Sequence, residues 1–186
     1  MTEMETVVLG LGSNRDSEDL TSMQILSGAC RALSGFVNIR SWSGVYRTKA
    51  MYYENQNDFL NMVVCAETDL SPHRLLDKIH LVEARFGRDR TLEIRNGPRT
   101  LDIDIELFGF CRINEADLVV PHEKFGERAF VLKPLLDIFM ECADVKEGGS
   151  SYLCGLPYDA AYVEKSLSLL AGQGIEKILD SADFRF

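Results

Sequence analysis

Two aspartates that lie two residues apart carry the clearest chemical signal in this sequence. Asp102 and Asp104 stand in an alternating stretch, residues 96–109 (NGPRTLDIDIELFG). Side chains at positions i and i+2 of a β-strand point the same way, with Cβ atoms roughly 6.7 Å apart. Both carboxylates can therefore reach shared divalent cations, which prefer oxygen ligands. An ordinary amphipathic strand with a solvated acidic face fits the same alternation, so the pattern alone leaves both interpretations open.

The segment before these acids is rich in arginine. Residues 85–99 contain no lysine but five arginines, Arg85, Arg88, Arg90, Arg95 and Arg99. The planar guanidinium group matches phosphate oxygens through paired hydrogen bonds, so arginine-only usage indicates phosphate recognition. A surface loop with interleaved Asp89 and Glu93 is the competing interpretation. The arginines lead directly into the acidic strand, and this contiguity favours a site for a metal-bound phosphate.

The alternation predicts two faces for the acidic strand. Leu101, Ile103, Ile105 and Leu107 should share the buried face, and Asp102, Asp104 and Glu106 the other. Outside this strand, His122 follows Pro121, and an aromatic-rich segment covers 51–61. A lone histidine is more often a surface residue than a ligand, and the aromatic residues fit a core as well as a stacking site.

The apolar periodicity outlines the elements that must position these residues. It predicts strands over 7–11, 37–48 and 58–68, with a helix behind the turn Gly12-Ser13-Asn14 that ends near Gly35. A second helix begins at Pro72 and ends near Gly87. After the acidic strand come a short segment at 118–122, a helix near 130–138 and a tail helix over 159–171.

This order, β-α-β-β-α-β, predicts an α+β fold with a ferredoxin-like core. An antiparallel sheet should carry both helices on one face, with extra C-terminal elements. KEGGSS, residues 146–151, reads as a hinge. We therefore expect a domain over 1–145 and a C-terminal tail over 146–186 that packs on the same domain.

The composition excludes several classes of protein. The 186 residues are 46% hydrophobic and carry a net charge of −9, which disfavours nucleic acid and anionic membranes as partners. Five dispersed cysteines and three scattered histidines give little support to a disulfide framework or a zinc site. No signal peptide or transmembrane segment is evident, so we expect a cytoplasmic protein without an obligate protein partner.

Four blocks of the sequence resemble one enzyme family, the 6-hydroxymethyl-7,8-dihydropterin pyrophosphokinases of folate biosynthesis. They are LGLGSNRDSEDL, VYRTKAMYYENQNDFLNMVV, FGRDRTLEIRNGPRTLDIDIELFG and LVVPHEKFGERAFVLKPLLDI, and together they span about residues 6–140. The resemblance implies transfer of pyrophosphate from ATP to the hydroxymethyl oxygen of the pterin, which gives AMP and the pterin diphosphate. This sequence departs from the family pattern at Lys49 and Asn96.

The resemblance also implies roles for individual residues. Two Mg²⁺ ions would be held by Asp102 and Asp104, and Arg88 and Arg99 would neutralise the phosphates as catalytic residues. The ATP pocket would comprise Glu83, Arg90, Ile105, His122 and Arg128. The pterin would contact Thr48, Met51, Phe59, Asn61 and Phe130. The family pattern assigns no role to Glu106.

Two other functions compete with this one. Nucleotidyltransferases also combine a Gly-Ser turn with a D-x-D strand, but there the two lie close in sequence, whereas Gly12-Ser13 and Asp102 are far apart here. A degenerate, non-catalytic small-molecule-binding module on the same fold is the second alternative. The intact aspartates and arginines argue against it, because a binding module has little use for a pair of metal ligands.

Overall fold

The computed structural model describes residues 4–50, 56–89, 97–143 and 151–186. Its first part runs β1 (Glu5–Ser13), α1 (Ser22–Leu33), β2 (Asn38–Trp42), β3 (Val45–Thr48), β4 (Phe59–Thr68), α2 (Pro72–Arg85) and β5 (Asp102–Phe108). The second part runs β6 (Ile113–Asn114), β7 (Val119–Val120), a 3-10 helix (Phe125–Glu127), α3 (Ala129–Ala143), a 3-10 helix (Ser151–Gly155), α4 (Ala160–Ser168) and β8 (Ile175–Leu179). In these ranges no helix is both long and apolar enough to cross a membrane.

The main sheet is antiparallel and has the strand order β5-β1-β4-β3-β8, with β2 also paired to β4. Helices α1 and α2 cover one face and enclose a core that includes Leu9, Ile25, Val64 and Ile79. Burial of such side chains contributes about 25 cal/mol per Å² of apolar surface. The ferredoxin-like arrangement that the sequence predicts, with both helices on one face, is confirmed.

The opposite face of the sheet carries a second core. Helices α3 and α4 and the second 3-10 helix pack there against Val8, Val63, Cys65 and Leu107. Because α3 covers only part of this face, the neighbouring part of β1, β4 and β5 is left to line a cavity. The extra C-terminal elements thus form a second layer on the sheet.

Several predicted elements differ from the observed ones. The strand predicted over 37–48 is two strands, because the regular pairing is interrupted at Ser43-Gly44. Gly44 lies so close to the Leu179 carbonyl that no Cβ would fit there. The helix predicted near 130–138 extends over Ala129–Ala143, because apolar side chains continue into the second core. The tail helix is shorter than 159–171, and β8 has no predicted counterpart.

The prediction that Leu107 shares a face with Ile103 and Ile105 is wrong. The pairing of β1 with β5 shifts by one residue, since Val8 lies opposite Leu107 while Leu9 lies opposite Ile105. This β-bulge inserts Glu106 as an extra residue and reverses the alternation after it. Leu107 consequently packs in the second core, and Phe108 returns to the first.

Candidate active site

A cavity lies on the sheet beside α3, and two glycines of β1 form its floor. A Cβ on Gly10 would lie 3.0 Å from Glu106 Oε1, and one on Gly12 would lie 3.1 Å from Asn61 Oδ1. Side chains at either position would therefore press on the groups that line the cavity. The glycines keep the floor flat enough for a ligand to approach the backbone.

The acidic face of β5 forms one wall of this cavity. Asp102, Asp104 and Glu106 all line it, as the alternation predicts for the acids. The side chains of Asp102 and Asp104 are 23% and 33% exposed, whereas that of Glu106 is only 1% exposed. The two aspartates are thus accessible to a ligand, and the glutamate lies beneath them.

Arginines from three segments converge on these acids. Arg99 Nη1 lies 2.7 Å from Asp102 Oδ2, and Arg88 Nη1 donates hydrogen bonds to Asp102 and Glu83. Arg128 Nη1 lies 2.8 Å from Asp104 Oδ2 and 3.5 Å from Glu106 Oε1. The structure therefore brings Arg88, Arg99 and Arg128 together with both aspartates, although up to 40 residues separate them in sequence.

These contacts set the protonation of the acids. Burial raises the pKa of Asp102, but the charges of Arg99 and Arg88 outweigh it and hold that pKa below its usual value. Burial and the charge of Asp102 raise the pKa of Asp104, although Arg128 opposes the rise. Burial, together with the charge of Asp104, raises the pKa of Glu106 from 4.5 to about 8. The pKa therefore rises along the strand, which favours the ionised form of Asp102 and the protonated form of Glu106.

Two residues assigned to the ATP pocket, Glu83 and Ile105, have different environments. Glu83 is 1% exposed and accepts the Ile103 backbone N–H at 2.9 Å, so it joins α2 to β5 and contacts Arg88. The Ile105 side chain lies in the first core, which leaves only its backbone for a ligand. Ile103 N–H points to the outer edge of β5, and Ile105 N–H, two residues further on, shares that direction.

His122 lies beside the aspartates and is neutral. Its Nε2 lies 3.9 Å from Asp104 Oδ2, and its Nδ1 accepts the Lys124 backbone N–H at 3.1 Å. Burial and the nearby charge of Arg128 lower its pKa to about 4. At neutral pH it can therefore offer a hydrogen bond from Nε2 to a ligand.

Four of the residues assigned to the pterin, Thr48, Phe59, Asn61 and Phe130, line the same cavity. Asn61 Nδ2 donates to Thr48 Oγ1 at 2.9 Å, and this contact fixes the orientation of the amide. Phe59 and Phe130 also line the cavity, and the Arg128 guanidinium lies 5.5 Å from the centre of the Phe130 ring. Met51 and Arg90 lie outside the described residues.

Asn14 is a site residue that the sequence did not reveal. Its Oδ1 accepts the Arg99 backbone N–H at 2.8 Å, and its Nδ2 donates to Gln56 Oε1 and the Asn57 carbonyl. It therefore connects the arginine segment to the segment before Phe59. The signal for it is the segment Gly12-Ser13-Asn14, which the sequence predicts as a turn; in the structure Gly12 and Ser13 end β1 and Asn14 follows directly.

The cavity has the groups that a metal-bound phosphate requires. Two accessible carboxylates on one strand face are suitable ligands for a hard cation. Arg128 Nε and Glu106 Oε2 are buried and have no hydrogen-bond partner among the described residues. Such groups in a cavity are suited to contact with a ligand or water. A cavity that presents carboxylates and arginines together has the metal-binding and charge-neutralising groups that phosphoryl transfer uses.

The comparisons with known proteins define the family. The model of the 7,8-dihydro-6-hydroxymethylpterin-pyrophosphokinase (HPPK) family matches residues 8–140, and the chain belongs to this family. A Methylorubrum extorquens protein named 2-amino-4-hydroxy-6-hydroxymethyldihydropteridine pyrophosphokinase is 36% identical over 177 residues, which cover 94% of this chain and 99% of that protein. An Aquifex aeolicus protein of the same name is 42% identical over 135 residues, 73% of this chain and 81% of that protein.

A solved structure supports the fold. The crystal structure of wild-type Plasmodium falciparum HPPK-DHPS with pterin and p-hydroxybenzoate has a TM-score of 0.53 and 16% sequence identity, and it covers 73% of this chain and 38% of that chain. Other relatives are much longer than this chain. It spans 17% of a folic acid synthesis protein of Pneumocystis carinii and 28% of a folate synthesis bifunctional protein of Arabidopsis thaliana.

Proposed function

We propose that this protein transfers pyrophosphate from ATP to 6-hydroxymethyl-7,8-dihydropterin. The hydroxymethyl oxygen of the pterin forms a bond to the β-phosphorus, the bond from that phosphorus to the α-phosphate bridging oxygen breaks, AMP leaves and the hydroxyl proton passes to solvent. The observation that carries the proposal is that Asp102 and Asp104 line one cavity with Arg99 and Arg128, and that Arg88 contacts Asp102.

Asp102 and Asp104 would hold two Mg²⁺ ions. Bound there, the ions would supply charge neutralisation for the attacking and leaving oxygens of an in-line displacement. Ionised Asp102 is ready to bind a cation, because Arg99 and Arg88 hold its pKa low against the effect of burial. Asp104, whose pKa burial and the charge of Asp102 raise, would have to be ionised to bind a cation, since metal ligands must be deprotonated.

The arginines would exchange carboxylate partners for phosphate oxygens. Arg99 and Arg88 both contact Asp102, so a phosphate held near that side chain is within their reach. Each guanidinium can donate two parallel hydrogen bonds to a phosphate group. Positioning and charge neutralisation of this kind supply most of the rate in phosphoryl transfer, so no strong protein base is required.

The two substrates would occupy opposite ends of the cavity. The backbone of Ile105 and the side chains of His122 and Arg128 would contact ATP, with Arg90 beside them and Glu83 acting through Arg88. Thr48 and Asn61 would bind the polar edge of the pterin. Its ring would stack between Phe59 and Phe130, with Met51 nearby.

One assay tests the proposal. The protein is incubated with ATP, Mg²⁺ and 6-hydroxymethyl-7,8-dihydropterin, and the nucleotides are separated by ion-exchange chromatography. We expect AMP and pterin diphosphate in equal amounts, and we expect excess EDTA to abolish both. ADP as the product would indicate a different transfer. Absence of turnover would support the non-catalytic module instead.

A further inference from the structure

The side-chain amide of Gln173 holds the backbone on both sides of Arg128. Gln173 Oε1 accepts the Ala129 backbone N–H at 2.9 Å, and Gln173 Nε2 donates to the Glu127 carbonyl at 2.8 Å. One residue thus makes two hydrogen bonds that flank a single arginine. Gln173 lies beyond residues 8–140, the part of the chain that the family model matches.

The start of α3 requires such a partner. Ala129 is the first residue of α3 and is 2% exposed, and its N–H has no acceptor within the helix. The side chain of an N-cap residue accepts the N–H of the second or third helical residue, and here the N-cap residue is Arg128, whose side chain has only donors. No side chain adjacent in this described part of the sequence therefore accepts the Ala129 N–H. Gln173 supplies the acceptor from a distant part of the chain.

This junction sets the direction of two site residues. Arg128 is an extended residue, with φ −115° and ψ 100°, between the first 3-10 helix and α3. From it the guanidinium reaches Asp104 and Glu106 and lies over the Phe130 ring. A change in the backbone angles at 127–129 would therefore move Arg128 away from the acids and shift Phe130 with it.

Gln173 is itself held by the C-terminal segment. Its N–H donates to the Leu170 carbonyl at 2.9 Å, and two residues later β8 begins, where Ile175 pairs with Thr48 of β3. The segment from Leu170 to Ile175 thus runs from the Arg128 junction to the strand that carries Thr48.

We propose that Gln173 is a positioning residue for nucleotide binding, which acts by fixing the backbone around Arg128. This inference rests on the proposed function for the identity of the nucleotide, ATP. Its effect should fall mainly on ATP affinity, because the proposed function assigns the Arg128 guanidinium, beside Asp104, to ATP. The turnover number at saturating ATP should stay close to that of the wild type.

The test compares Gln173→Met, Arg128→Ala and the double variant with the wild type. Methionine keeps the length of the side chain but removes both hydrogen bonds. The Kd for ATP is measured by calorimetry with EDTA present, and the KM for ATP and kcat are measured with Mg²⁺.

We expect Gln173→Met to raise the Kd and KM for ATP about tenfold. We also expect kcat to change less than twofold, and the pterin KM to rise less than the KM for ATP, because Phe130 follows the same junction. Glu176→Gln, which removes only an exposed ion pair with Arg47, is the matched control.

The double variant separates positioning from a general loss of structure. If Gln173 acts through Arg128, Gln173→Met should add less than twofold to the Kd of Arg128→Ala. A full tenfold addition would overturn the inference, as would a wild-type Kd in Gln173→Met alone. Thermal melting of each variant shows whether it is folded. Failure of the wild type to form AMP would count against the proposed function, whereas the metal-free Kd values would still decide the coupling of Gln173 to Arg128.

Discussion

Arg128 Nη1 lies 2.8 Å from Asp104 Oδ2, so an arginine assigned to the nucleotide and an aspartate assigned to the metal neutralise each other. Arg99 and Asp102 form a similar pair at 2.7 Å. Phosphate and cation would have to separate these pairs on binding. The ion pairs keep the charged side chains in place before the ligands arrive, and the ligands replace one set of charge contacts with another.

Removal of either aspartate should abolish most of the activity. Asp102→Ala and Asp104→Ala each delete a carboxylate that would hold the metal ions, and we expect kcat to fall about 100-fold or more. Initial rates of AMP formation provide the measurement. Asp69→Ala, an exposed position after the far end of β4, is the control. Near-wild-type rates in either cavity variant would refute the metal assignment.

Arg88 should matter more for turnover than for ATP binding. Its guanidinium contacts Glu83 and Asp102 inside the site, so in Arg88→Ala we expect kcat to fall more than the KM for ATP rises, which is typical of a contact made mainly in the transition state. Steady-state kinetics of this variant can be set beside Arg74→Ala, an exposed position on α2. A raised KM with unchanged kcat would assign Arg88 to substrate binding alone.

Glu106 should make the metal-free protein less stable as the pH rises. Burial raises its pKa from 4.5 to about 8 in the folded protein, so the folded state binds the extra proton between these values. The stability that this proton contributes is complete below about pH 4.5 and is lost as the pH rises through about 8. Glu106→Gln, which mimics the protonated acid, should therefore gain stability relative to the wild type as the pH increases.

Urea denaturation in EDTA at pH 5, 7 and 9 tests this difference. Asp102 and Asp104 are present in both proteins, so the difference between the two curves reports the titration of Glu106 together with its charge interaction with Asp104. Parallel stability curves for wild type and Glu106→Gln over this range would contradict the raised pKa.

Gly12→Ala should weaken pterin binding without unfolding the protein. The new Cβ would lie 3.1 Å from Asn61 Oδ1, so the amide must shift by a few tenths of an ångström. We expect the pterin KM to rise about tenfold while the KM for ATP stays within twofold. Gly172→Ala is the control, since a Cβ there meets nothing within 4 Å. An unchanged pterin KM would place the pterin elsewhere in the cavity.

Asp137 should join the C-terminal segment to the rest of the fold. This carboxylate on α3 accepts hydrogen bonds from Tyr46 of β3 and from Lys133, and it contacts Lys177 of β8. We propose that residues 1–145 and 146–186 unfold as one unit, and that Asp137→Ala lowers the free energy of unfolding by about 2 kcal/mol. Fluorescence of Trp42 and circular dichroism should give coincident transitions, with Glu164→Ala as an exposed control. Two separate transitions would show that the tail is independent.

Local patterns in the sequence were sufficient to predict the acidic wall of the cavity. Asp102 and Asp104 share a face because strand geometry alternates every two residues, and this holds wherever the strand lies. The reversal at Leu107 could not be predicted, because the bulge arises from the register with β1, almost a hundred residues earlier. β8 was missed because its short stretch, IEKIL, carries charges that suit an edge strand as well as a loop. The contact of Gln173 with Ala129 spans 44 residues and follows no local rule.

The last residues of the chain lie on the side of the sheet away from the cavity. Phe184 packs in the first core, the Arg185 carbonyl accepts a hydrogen bond from Ser27 of α1 at 2.7 Å, and Phe186 meets Trp42 with ring centres 5.0 Å apart. A fluorophore or affinity tag joined at Phe186 would therefore be screened from the bound substrates by the thickness of the sheet. Protein immobilised through this end would present its cavity to the solution.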